Sequence, residues 1–388
     1  MSRRTFGGLR RLPSGRWQAT YFDPRSGGRV AALATFATKV DANAWLASVE
    51  TDLGRGELPE ASLSRRPFDE WADDWKAGLH VKPKTEVSYE SSLRNHVLPR
   101  FGSRPISSIT YRDCRGLVDE MLAAGYAPGT VSEARKVLRL ILAEALRADA
   151  IRRNPADRLR VPRGPRQEMA FLTLDEVLRL AHAIANPPRP ARHALQTWPE
   201  YGLLVRLTAL TGLRAGEIGA LRVGRVNPLR GRLEVAESVS EVHGALVYGE
   251  PKTYERRSVP IPTSLADELA DHLARRPGEP DAFVFAAPAG GPLRHVNFYR
   301  RLFRPAVAHA GLDPRTRFHD LRHTAAALMI NEGAHLLAVK ERLGHSTIQV
   351  TADRYGHLFP SLEAALITKL DDSYRGALAS FRSGSSTR

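Results

Sequence analysis

The spacing of apolar positions changes several times along the chain, and each change marks a new kind of element. Near the amino terminus the pattern suits strands over residues 8–12, 16–22 and 29–36, separated by Pro13-Ser14-Gly15 and by Asp23-Pro24-Arg25-Ser26-Gly27-Gly28. A helix is predicted from Asp41, with Ala44, Trp45, Val49 and Leu53 spaced to cover that sheet. Residues 54–67 are polar, carry Gly54, Gly56 and Pro59, and read as a linker. From Phe68 to about Asn154 the repeat is helical. Phe68, Trp71, Trp75 and Leu79 open one helix, and further helices are expected over 87–98, 111–124 and 128–148. The last carries a core face of Val137, Leu138, Ile141, Leu142 and Ala145, with Thr130 and Ser132 as capping oxygens near its start.

Residues 152–167 break the pattern, with Pro155, Pro162 and Pro165 set among six arginines, and predict an extended, semi-rigid connector. Beyond it Thr173 caps a helix through Ala185, and an apolar helix covers 201–211. Strands are expected over 232–238, 245–249, 256–261 and 282–285, and helices over 264–275 and 361–381, before a disordered tail. The fold expected is mixed α+β and multidomain. Its parts are a three-stranded sheet with a helix (1–56), a helical domain (66–154), a basic linker (155–170), a mainly α domain with a small β-sheet (171–360), and a terminal helix and tail (361–388).

The stretch from Phe318 to Tyr355 is the densest in chemistry. His319, Arg322 and His323 are spaced three and four apart and could share one helix face, ahead of an apolar run through Ala325, Ala326, Leu328, Met329 and Ile330. Gly333 and Gly344 read as helix stops, which places His345 just past a terminus and Tyr355 on or near the segment that follows. Singly, such residues are most often partners in local hydrogen bonds. A metal site at His319 and His323 is disfavoured: no glutamate follows the first histidine, and one cysteine, Cys114, excludes thiolate zinc. Arginines, histidines and a tyrosine together suit a phosphodiester, with guanidinium forks for the non-bridging oxygens and a hydroxyl nucleophile.

Charge points the same way. The 388 residues carry 57 Lys and Arg against 42 Asp and Glu, a formal charge of +15, and the absence of a long apolar run favours nucleic acid over membrane. The start, MSRRTFGGLRRLPSG, lacks the apolar core of a signal peptide, and a lone cysteine builds no disulfide framework, so a cytoplasmic setting is expected. Arginine far outnumbers lysine, and Lys252 is the sole lysine between Lys136 and Lys340. Lysine can release a proton, with an ordinary pKa of about 10.4, whereas arginine holds its own.

These motifs resemble the tyrosine recombinase, or phage integrase, family. The match lies in His319-x-x-Arg322-His323-Thr324, Leu343-Gly344-His345-Ser346, Thr351-x-x-x-Tyr355, Thr211-Gly212-Leu213-Arg214-Ala215-Gly216-Glu217, and Pro251-Lys252-Thr253 followed by Arg257-Ser258-Val259-Pro260. The resemblance implies that Tyr355 attacks a scissile phosphate, giving a 3′-phosphotyrosyl DNA and a free 5′-hydroxyl. Arg214 and Arg322 would bind the non-bridging oxygens, and Lys252 would protonate the leaving oxygen. His319 would take the tyrosine proton or bond the phosphate, and His345 would donate to the phosphate. Glu217, three residues on from Arg214, is placed either to orient that guanidinium or a nearby histidine or to give structural support. Neither a cofactor nor a metal is implied. The implied partners are double-stranded DNA attachment sites and three further copies in a tetramer on DNA, with a host bending factor and an excisionase as accessory proteins.

The amino-terminal module resembles the arm-type DNA-binding domain of such integrases through Gly15-Arg16-Trp17 and Phe36-Ala37-Thr38, with Arg10, Arg11 and Arg16 along its ribbon. The helical domain resembles their core-binding, SAM-like domain, with Lys84, Arg94 and Lys136 as phosphate contacts. Arg163 in the connector and Arg301 in a basic stretch extend that surface; plain solvation is the alternative for each. Two rivals share much of the pattern: a type IB topoisomerase, and a non-catalytic DNA-binding regulator of the same fold. The arm-like module and the unbroken residue set favour an integrase.

Overall fold

The computed structural model describes residues 6–24, 27–32, 34–55, 61–162, 164, 169–187, 199–251, 256–275, 279–287, 291–359 and 362–384. Lys252 and Arg163 lie outside them. The chain divides into two compact units, 1–166 and 167–388.

In the first unit, β1 (Gly8–Arg11), β2 (Trp17–Asp23) and β3 (Gly28–Ala31) form an antiparallel sheet in that order. Ala19 and Tyr21 point inward and Phe22 outward, the two-residue alternation of a half-buried sheet. α1 (Lys39–Gly54) covers it through Ala42, Leu46 and Val49, whereas Ala44, expected on that face, is exposed. The helix begins two residues early because the Thr38 hydroxyl accepts the Asp41 N–H at 3.1 Å. α2 (Ala61–Arg65) occupies part of the expected linker. Its Ser64 is buried and donates to the carbonyl of Ala150 at 2.7 Å, a partner 86 residues away.

Four helical stretches follow as expected. α3 (Phe68–Ala77) leads to α4 (Pro83–Ser92), which continues through a π turn (Leu93–Val97) into α5 (Leu98–Phe101); α6 (Tyr111–Ala123) and α7 (Pro128–Arg147) complete the bundle. The π turn has a local cause. Pro99 has no N–H for the carbonyl four residues back, and the Leu98 N–H reaches Leu93, five back. α7 buries Val131, Ala134, Val137, Leu138, Ile141, Leu142 and Ala145, the predicted face extended toward its start.

The second unit opens with α8 (Leu174–Ala185), held by a capping box between Thr173 and Glu176, and then α9 (Pro199–Thr211) and α10 (Ala215–Gly219). Strands β4 (Val226–Asn227), β5 (Arg232–Val235), β6 (Ser238–Val242), β7 (Ala245–Gly249) and β8 (Arg257–Pro260) form an antiparallel sheet, β4-β5-β8, and a separate hairpin, β6-β7. The expected strand at 232–238 is thus split between two sheets. Residues 282–285 do not form a strand: Phe283 makes one isolated bridge to Arg222, while Val284 and Phe285 fill the core.

α11 (Thr263–Ala274) and α12 (His295–Phe298) follow, and the latter passes through a second π turn ahead of Pro305 into α13 (Arg304–His309). The unit ends with α14 (Asp320–Asn331), α15 (Leu336–Leu343), α16 (Ile348–Tyr355) and α17 (Leu362–Gly384). Among the described residues no helix is long and apolar enough to cross a membrane.

Candidate active site

The site is built around the end of α15. Gly344 takes the left-handed conformation, φ 64° and ψ 53°, and a Cβ there would stand 3.0 Å from the Arg257 guanidinium. The last carbonyls of this helix lack intrahelical partners and carry the negative end of its dipole. Three arginines from three other segments take them in turn. Arg257 Nε donates to Arg342 O at 3.1 Å, Arg322 Nη2 to Leu343 O at 2.6 Å, and Arg214 Nη2 to Gly344 O at 2.9 Å. Arg322 also donates through Nη1 to Gly212 O at 2.5 Å, which ties the turn before α10 to the same point. Burial, with Arg214 beside it, pushes the Arg322 guanidinium down to about 9, still a cation at neutral pH.

Glu217 is the anion that holds this cluster. Its side chain is fully buried, with Oε1 2.8 Å from Arg214 Nη1 and 3.0 Å from Arg257 Nη1, and Oε2 2.7 Å from Arg257 Nη2. Oε2 also accepts the backbone N–H of Arg214 at 2.9 Å. Burial by itself would raise this carboxyl, but the bonds and charge of Arg257, then Arg214, hold it down at about 2.

Tyr355 is the last residue of α16 and is fully buried, packed with Ala326, Ile330, Val339 and Leu343. Its hydroxyl lies 2.8 Å from His323 Nδ1. The His345 ring stacks on the Tyr355 ring, 6.3 Å between centroids and 10° from parallel. His345 Nδ1 is 2.9 Å from Thr351 Oγ1, while its Nε2 is buried without a hydrogen-bond partner. His319 stands at the start of α14 with an exposed edge and meets His323 edge to face at 4.9 Å. Burial and then Arg322 lower His345 to about 3; burial and then His319 lower His323 to about 4. Burial and then Arg322 lower His319 as well, so all three imidazoles are neutral at pH 7. Burial raises the Tyr355 phenol, against the pull of Arg322 and Arg354.

Comparison with known proteins settles the family. The phage integrase family matches residues 170–361, the phage integrase N-terminal domain residues 5–55, and the phage integrase N-terminal SAM-like domain residues 67–122. A prophage phiRv2 integrase of Mycobacterium tuberculosis is 32% identical over 386 residues, spanning 96% of this chain and 97% of that protein. The chain belongs to the phage integrase family. It is a site-specific, DNA breaking-and-rejoining tyrosine recombinase. Solved relatives share its fold. The Tn1549 transposon integrase bound to circular-intermediate DNA superposes with a TM-score of 0.66 at 20% identity, covering 78% of this chain and 98% of that one. A lambda integrase tetramer bound to a Holliday junction gives 0.57 at 20% identity, covering 87% and 95%.

Of the residues singled out in the sequence, the integrase brings Arg214, Arg322, His345 and Glu217 to the end of α15, with Tyr355 stacked on His345 and His319 one imidazole away from Tyr355. Three contributors are given no catalytic role from the sequence: His323 on the Tyr355 hydroxyl, Arg257 on Glu217, and Thr351 on His345. Each is a named position of a recognised motif, and His323 is weighed there only as a metal ligand. Of the surface bases, Arg10, Arg11, Lys84, Arg94 and Arg301 are exposed. Arg16 is exposed as well, and donates through Nε to Thr35 Oγ1 at 2.7 Å, bracing the ribbon. Lys136 stands 4.6 Å over the Tyr89 ring and 3.8 Å from Glu133.

Glu217→Gln is expected to lower the unfolding free energy of the integrase by about 3 kcal/mol at pH 7, because two guanidinia lose their buried counter-ion. The carboxyl is held below its ordinary 4.5 in the folded state, so this stability is complete above that pH and is lost as pH falls through about 2. Thermal melts of both proteins should therefore converge between pH 4.5 and 2. A gap that persists at low pH would contradict the charge account.

Proposed function

We propose that Tyr355 opens one DNA strand at each attachment site by in-line attack on the scissile phosphate, through a 3′-phosphotyrosyl intermediate that conserves the bond energy for rejoining. The observation that carries this reading is the meeting of Arg214, Arg322 and His345 at the end of α15, with the buried Nε2 of His345 lacking a partner where Tyr355 stacks. A phosphate oxygen would supply that partner. Arg214 and Arg322 would shift donors from carbonyls to the non-bridging oxygens, each worth about 3 kcal/mol of transition-state stabilisation. Thr351 would select the useful tautomer of His345: a hydroxyl that donates to Nδ1 leaves a proton on Nε2 for the phosphate.

Lys252 is the proposed acid for the leaving 5′-oxygen, which must gain a proton as it departs. Lys252→Ala is expected to slow cleavage at least about 100-fold. A 5′-bridging phosphorothiolate, whose thiolate leaves without a proton, should restore most of that loss. Equal defects on both substrates would remove Lys252 from this role.

The reading as a whole is tested with a nicked duplex carrying the core of the attachment site, which lets the cleaved end diffuse away and traps the protein on DNA. A covalent adduct mapped to Tyr355 is expected; a folded, DNA-bound protein that forms none would overturn it. Four protomers acting through a Holliday junction are proposed by likeness to the lambda integrase tetramer. Residues 1–56, with the exposed Arg10 and Arg11, are proposed as a second DNA module for arm sequences, and residues 66–154 as the one that grips the core. A host bending factor and an excisionase are the proposed accessory proteins, and the cytoplasm, where the DNA lies, the proposed location.

A further inference from the structure

We propose that His323, rather than His319, accepts the phenolic proton of Tyr355 as it attacks DNA, an inference that rests on Tyr355 being the nucleophile. His323 Nδ1 is 2.8 Å from the Tyr355 hydroxyl, inside the reach a general base needs. His319 touches the ring of His323, not the tyrosine. His345 lies parallel to the phenol ring with its Nδ1 on Thr351, so the hydroxyl does not lie in its hydrogen-bonding plane. In the tautomer that carries its proton on Nε2, Nδ1 of His323 accepts from the Tyr355 hydroxyl and is the basic atom.

The step balances. The proton passes from Tyr355 Oη to His323 Nδ1, the Oη–P bond forms, the P–O5′ bond breaks, and the departing oxygen takes a proton from the acid proposed above. On rejoining, the imidazolium returns its proton to the tyrosine oxygen as the 5′-hydroxyl attacks phosphorus. The charged and titratable groups facing His323 are Arg317 just before its helix, His319 and Asp320 at the helix start, Arg354 from α16 and His345 after α15. Asp320 is itself paired with Arg317 at 2.8 Å, so the surroundings are net positive until a phosphate arrives. Incoming DNA brings the negative charge that makes an imidazolium tolerable here. The base would thus gain strength only with substrate in place, and a buried phenol would stay protonated in its absence.

The test is single-turnover cleavage of the nicked core duplex between pH 6 and 9. His323→Ala should cleave at least about 100-fold slower than wild type, with a rate that rises tenfold per pH unit as hydroxide replaces the base. Added imidazole should recover part of the rate in proportion to its neutral form. His319→Ala should keep the wild-type pH profile and gain nothing from imidazole. His323→Asn guards against a folding defect: its amide can still accept a hydrogen bond but cannot take a proton, and it should cleave as slowly as the alanine variant while binding the duplex normally. Near wild-type cleavage by His323→Asn, or imidazole rescue in His319→Ala instead, would overturn the assignment. Both results leave the reading of Tyr355 intact, whereas an adduct missing from wild type itself would defeat that reading first.

Discussion

Tyr355→Phe is expected to bind attachment-site DNA like wild type and to form no covalent adduct. The substitution removes one oxygen. The ring keeps its place between His345 and the apolar set of Ala326, Ile330, Val339 and Leu343. The folding cost is the orphaned Nδ1 of His323, about 1–3 kcal/mol for a buried polar atom left without its partner. Catalysis loses far more, because the oxygen that would bond to phosphorus is gone. Denaturing gels with the nicked duplex, together with a binding titration, separate the two effects. An adduct formed by the variant and mapped to Tyr374 or Tyr299 would refute the assignment.

The second large effect is expected at Arg322. Its guanidinium is fully buried and bridges Gly212 O and Leu343 O, so Arg322→Ala strands two carbonyls and opens a cavity. A loss of about 3 kcal/mol or more in stability follows from the stranded groups, and about 100-fold to 1,000-fold in cleavage is expected if Arg322 has the phosphate-binding role proposed above. Arg322→Lys should rescue little, since an ammonium cannot span two carbonyls and a phosphate in one planar fork. Arg214→Ala provides the contrast. Arg214 reaches one carbonyl of this helix end and keeps an exposed portion, so a similar cleavage defect is expected at a smaller folding cost. Melting curves on DNA-free protein, set beside adduct yields, would show the split. A lysine variant with wild-type cleavage would contradict the bridging role.

Much of this was legible in the linear pattern, for reasons that are local. The helical repeat of α7, the caps at Thr173 and Gly344, and the arrangement of β1 to β3 follow from periods and end signals that act within a few residues. The order of the motifs identified the chemistry, because phosphodiester transfer needs cations, a proton donor and a hydroxyl regardless of how they are brought together.

Contacts between distant segments were not legible. Ser64 turns part of an expected linker into a packed helix through a carbonyl 86 residues away, and residues 282–285 pair only at an isolated bridge although their composition suits a strand. The same limit applies at the site. Spacing placed His319 and His323 together on one helix, but the one that touches Tyr355 depends on where α16 returns, 32 residues later. Glu217 was visible as a neighbour of Arg214, while its second cation, Arg257, arrives from a strand 40 residues on. Sequence determined which kinds of group are available to the chemistry, since residue type sets charge, proton affinity and nucleophilicity. Tertiary structure alone decided which oxygen each arginine holds and which imidazole meets the phenol, because a hydrogen bond requires approach to about 3 Å, and only the packing of whole helices brings atoms that far apart in the chain so close.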